Sequence, residues 1–143
     1  MDKKYIVLDD EKKAIHHFKD GEKALGWKVV KDFDNLAMIV PEPFIVLDFD
    51  TVSDAKIIQQ IIDDLDLKCK VMQTSRGVHV WFKSSEPWKN FTKTRLAIGI
   101  YSDCRSHSRN AYVKIKDGGV MRKWLRDRDD DKVMDVPRWL YPV

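Results

Sequence analysis

Phe44-Ile45-Val46-Leu47-Asp48-Phe49-Asp50 reads as a buried β-strand that ends in two carboxylates. Successive side chains of a strand point to opposite faces, so Asp48 and Asp50 project from the same side, about 7 Å apart. Two aspartates so placed repel each other and are costly to bury. A divalent cation resolves both problems, and hard oxygen ligands of this kind suit magnesium or manganese. The competing reading is a pair of solvated acids at a strand end.

Working outward, Pro41-Glu42-Pro43 is a turn, preceded by a strand over residues 35–40 that a short segment from Gly26-Trp27 leads into. After the central strand, Ser53 is a plausible N-cap with Asp54 in the first helical turn. Ile57, Ile58, Ile61, Ile62 and Leu65 recur at helical spacing over residues 54–66. Residues 69–73 and 78–82 form a hairpin around Thr74-Ser75-Arg76-Gly77. Ser85-Glu86-Pro87-Trp88 opens a connection with helical character through residue 96. Residues 96–105 and 111–116 read as a second hairpin around the polar loop 106–110, and Asp117-Gly118-Gly119 is a tight turn. Residues 120–125 fit strand or helix, 127–131 a solvated acidic loop, and Pro137-Arg138-Trp139-Leu140 a terminal turn packed on the body. Residues 13–18 read weakly as helix. The pattern is α+β, with a mixed or antiparallel sheet and few helices. A length of 143 residues makes one domain, with an N-terminal αβ part over 1–43 and a catalytic sheet over 44–143.

The net charge of +3 conceals an asymmetry. Residues 1–67 carry 9 Lys/Arg against 15 Asp/Glu, residues 68–126 carry 14 against 3, and the last 17 carry 3 against 5. A basic segment of that density exceeds an ordinary solvated face and points to a polyanion such as nucleic acid or nucleotide. No apolar run is long enough to span a membrane, and no signal-peptide stretch follows Met1-Asp2-Lys3-Lys4-Tyr5. The two cysteines, Cys69 and Cys104, fall in predicted strands and fit reduced thiols of a cytoplasmic protein better than a disulfide framework or a zinc site.

Several other residues share the chemistry. His79 and Trp81 point to one strand face while Val78, Val80 and Phe82 point to the other. A lone histidine between valines is commonly a satisfied core residue. Here it follows Ser75-Arg76-Gly77, which offer a hydroxyl, a guanidinium fork and close backbone approach, the parts of a triphosphate cradle. Tyr101, Asp103 and Arg105 share a face, and Asp103 is the favoured third carboxylate over Asp117, which sits in turn chemistry.

Leu47-Asp48-Phe49-Asp50, then Ser75-Arg76-Gly77-Val78-His79-Val80-Trp81-Phe82, then Ser102-Asp103-Cys104-Arg105 resemble the three motifs of the archaeo-eukaryotic primase superfamily, in particular the small primase-polymerases of phages and plasmids. Asn110-Ala111-Tyr112-Val113, Asp117-Gly118-Gly119 and Pro137-Arg138-Trp139-Leu140 extend the resemblance, which covers roughly residues 35–143. It implies an RRM-like catalytic sheet with flanking helices beside a small N-terminal αβ unit. It implies templated transfer from nucleoside triphosphates onto a primer on single-stranded DNA, with two Mg²⁺ or Mn²⁺ ions held by Asp48, Asp50 and Asp103. His79 would hold a phosphate, and Ser75, Arg76 and Gly77 would cradle the triphosphate. Arg105 and Tyr112 would approach the nucleotide or template, and Lys114 and Lys116 template phosphates. A phage or mobile element is the implied source, and the host cytoplasm the implied compartment. The zinc element of some relatives has no counterpart in the sequence. Neither a helicase module nor a helical C-terminal domain is evident, which favours extension over de novo priming and leaves a replicative helicase as a separate partner. Two other classes compete. A non-catalytic single-strand binder would have no use for three acids on a phosphate-binding face. A phosphatase using Asp48-Phe49-Asp50 would need more strand–helix repeats.

Overall fold

A computed structural model describes residues 3–9, 25–86, 88–107 and 111–143, and these form two antiparallel sheets, two α-helices and two short 3-10 helices. The small sheet contains β1 (Tyr5–Val7), β2 (Leu36–Ile39), β8 (Tyr112–Asp117) and β9 (Val120–Met121), in that order. The large sheet centres on β3 (Phe44–Phe49), flanked by β5 (Val78–Lys83) and β7 (Tyr101–Ser106). Beyond β5 lie β4 (Lys70–Gln73) and then β10 (Trp124–Arg126), and beyond β7 lies β6 (Phe91–Arg95). The helices are α1 (Trp27–Val30) and α2 (Val52–Leu65). The fold is thus α+β, mostly antiparallel sheet with few helices.

Alternation along β3 sets the two cores. Ile45, Leu47 and Phe49 face Ala55, Ile58 and Ile62 of α2, and all are buried. Phe44 and Val46 face the other way, where Met38, Val113 and Ile115 of the small sheet close over Trp81. Trp81 packs edge-on between Phe44 and Trp124, at centroid distances of 5.8 and 5.6 Å. No helix among the described residues is long and apolar enough to cross a membrane.

Several local expectations need correction. The helix is capped by Thr51, whose hydroxyl accepts the Asp54 N–H at 3.1 Å, and Ser53 lies inside the first turn. β8 does not form a hairpin with β7; it pairs with β2 in the small sheet, so both sheets draw on residues after 43. β7 pairs with β6 instead, over residues expected to be helical, where Thr92 and Thr94 favour extended backbone. Residues 120–125 supply two short strands, β9 and the start of β10. The acidic loop is only partly solvated, because the nearly buried Lys70 ammonium reaches Asp130 at 3.1 Å and Asp127 at 3.6 Å. The weak helix at 13–18 and most of the polar loop 106–110 lie outside the described residues.

Candidate active site

Strand register gathers the acids. Asp48 on β3 stands directly opposite His79 on β5 and directly opposite Asp103 on β7. Directly opposed residues of antiparallel strands share a face, so His79, Asp48 and Asp103 form one row across three strands. Two carboxylates facing each other across a ladder destabilise a sheet unless something compensates. Asp50 follows just beyond the end of β3.

Each acid has a neighbour. The Asp48 Oδ2 lies 3.6 Å from His79 Nε2, a charge contact too long for a hydrogen bond. Its Oδ1 is buried with no hydrogen-bond partner among the described residues, and so is His79 Nδ1. Asp50 pairs with Arg76 at 2.6 Å in an exposed bridge. Asp103 accepts the Lys93 N–H at 2.6 Å, where β6 bulges and Lys93 adopts the left-handed φ of 43°. Asp103 is therefore turned toward β6. Among the described residues no three Asp, Glu, His or Cys side chains converge on one point. The donor set still fits hard divalent cations. It offers carboxylate oxygens only, and one of them is a buried oxygen without a partner.

Asp48 and His79 of the row border a cleft of about 610 Å³ between the two sheets. Asp48, Asp50 and His79 line it together with Ser75 and Arg76 from the β4–β5 turn and Arg105 from β7. The small sheet contributes Tyr112 and Lys114. Gly77 holds the turn in place. A Cβ there would collide with the Phe49 carbonyl oxygen, so only glycine lets the turn press against the end of β3. The Thr74 hydroxyl locks the same turn by accepting the Gly77 N–H at 3.0 Å.

Two expected site residues stand apart. Asp103 does not line the cleft, and Lys116 donates to the Lys31 carbonyl at 2.7 Å, away from it. Lys114 lines the cleft but is paired with Asp117 at 2.9 Å.

Arg122 is a cleft residue that the sequence pattern does not single out. It follows β9, lines the cleft, and donates from Nη1 to the Lys114 carbonyl at 3.0 Å. Burial pushes its guanidinium below the ordinary value, while Asp117 and Asp48 act to raise it. Asn90 also lines the cleft, its side-chain oxygen accepting the Ser106 N–H at 2.7 Å. Neither lies on a long periodic segment, so no sequence pattern marks them. Both cysteines are free and buried; burial pushes Cys69 up to about 11 and Cys104 up to about 12, which makes them poor nucleophiles at neutral pH.

No family model, curated protein or solved structure matches the chain.

Proposed function

We propose that this cleft performs template-directed nucleotidyl transfer, taking nucleoside triphosphates as substrate and single-stranded DNA as template. The observation that carries the reading is the His79–Asp48–Asp103 row beside a cation-lined cleft. A structural role gives no reason to oppose two carboxylates across a ladder. The motif order supports the primase-polymerase resemblance, with the large sheet as its RRM-like catalytic sheet.

When bound, two Mg²⁺ or Mn²⁺ ions held by Asp48, Asp50 and Asp103 would supply Lewis-acid activation of the attacking 3′-hydroxyl and charge relief on the leaving pyrophosphate. The chain's own side chains do the positioning. Arg76 exchanges Asp50 for a phosphate oxygen, which costs little because the bridge is exposed. His79 donates from Nε2 to a second phosphate. Arg105 approaches from the large sheet and Lys114 from the opposite wall, so the triphosphate is held from both sides. Asp103 reaches the ions by releasing the Lys93 N–H. Tyr112 offers a ring at the edge of the cleft. A helicase acting in the same replication process, in the cytoplasm of a phage host, completes the reading.

The test is extension of a labelled primer on a single-stranded template with Mg²⁺, Mn²⁺ or EDTA, and with a lane lacking primer. Metal-dependent extension that Asp48→Ala and Asp103→Ala each abolish is the expected result. Wild-type extension by both variants would overturn the assignment. His79→Ala is expected to weaken nucleotide use more than template binding, and equal losses would remove its phosphate-holding role.

A further inference from the structure

A second depression, of about 320 Å³, adjoins the cleft, and Arg122 lines both. Its lining is largely apolar, with Met38, Met72 and Ile115 among the contributors. The rings of Tyr5 and Trp27 also line it, with centroids 5.3 Å apart and planes tilted by 57°. Trp27 and Met121 keep 40% and 44% of their surfaces exposed there. The only charged side chains among the described lining residues are two cations, Lys3 and Arg122.

Contiguous exposed apolar surface rimmed by charged side chains marks a place where something binds. Aromatic faces suit the π-face of any base, and the flanking cations suit the phosphates on either side of it. Paired duplex hides its base faces, so the chemistry selects an unpaired strand. A purely apolar occupant gives no role to Lys3 and Arg122.

We infer that this depression seats an unpaired base of single-stranded nucleic acid, with Trp27 as the stacking surface and Lys3 and Arg122 on the adjacent phosphates. It rests on the transfer reading only for direction: the strand passes Arg122 and enters the Asp48 cleft as template. The seat accounts for the template contact that Lys116, turned toward Lys31, does not supply.

The test compares a fluorescein-labelled oligothymidylate with an abasic oligomer of the same length, by anisotropy. Wild-type protein is expected to prefer the base-bearing strand. Trp27→Ala should weaken its binding about tenfold or more and erase the preference, while Trp27→Phe keeps most of both. Lys3→Ala should lower the salt slope of binding by about 0.7. Equal wild-type binding of the two probes, or a preference that survives Trp27→Ala, overturns the seat. Binding by Asp48→Ala serves as the control that separates the two proposals. Base preference without extension in any lane leaves the seat standing and removes the transfer reading. Extension without base preference removes the seat alone.

Discussion

Beneath α2, the large sheet presents Ile45, Leu47, Phe49, Val80 and Phe82, all buried; on its opposite face it presents Asp48, His79, Asp103 and Arg105. Neighbours one residue apart in β3 and β5 thus belong to different enterprises. The apolar face holds α2 to the sheet through burial. The polar face is core only toward one end, where Val46 and Trp81 meet the small sheet, and becomes a charged cleft at the other. Apolar packing and the charged cleft are separated by the two-residue period of a strand, so substitutions on the two faces should fail in different ways.

The largest effect is expected on the apolar face. Leu47→Ala should cost about 3–4 kcal/mol in urea denaturation, through lost burial and a cavity under α2. A cost below about 1 kcal/mol would mean that this face does not carry the fold. Gly77→Ala comes next, at about 2–3 kcal/mol, because the new methyl meets the Phe49 carbonyl. That position joins the two faces, so nucleotide affinity should fall with stability, the first followed by isothermal titration and the second by urea denaturation.

The buried thiols sharpen the comparison through pH. Cys69 and Cys104 sit in the apolar core with values raised to about 11 and about 12 from an ordinary 9.0. The folded state keeps the protons that the unfolded state gives up above pH 9, so the unfolded state binds fewer protons and stability falls as pH rises. A loss of about 2.5 kcal/mol between pH 8 and pH 10 is expected, flattened in the double Cys→Ala variant. An unchanged slope in that variant would assign the alkaline loss elsewhere. Thr51→Ala should cost about 1 kcal/mol by removing the cap of α2, with nucleotide binding unaltered.

Much of this division could be read from the chain. The alternation in residues 44–50 and 78–82 gave the two faces, and the isoleucine spacing of residues 57–62 gave the helix that covers one of them. What escaped was non-local. The alternation of residues 112–116 fixes which side chains share a face but not which strand they pair with, so β8 was assigned to the wrong hairpin. Lys116, expected at template phosphates, donates to the Lys31 carbonyl away from the cleft. Arg122 sits between two strands of two and three residues, too short for any period to show. Asp103 was placed on the correct face, but its bond to the bulged Lys93 N–H depends on backbone geometry that no residue pattern announces.

The central claim is that the His79–Asp48–Asp103 row serves chemistry and not the fold. Asp48→Asn tests it most directly, with metal-dependent primer extension and urea stability measured on the same preparation. Extension is expected to be abolished while stability stays within about 0.5 kcal/mol of wild type or rises, since a repelling charge has been removed. Wild-type extension, or a stability loss comparable to that of Leu47→Ala, would contradict it.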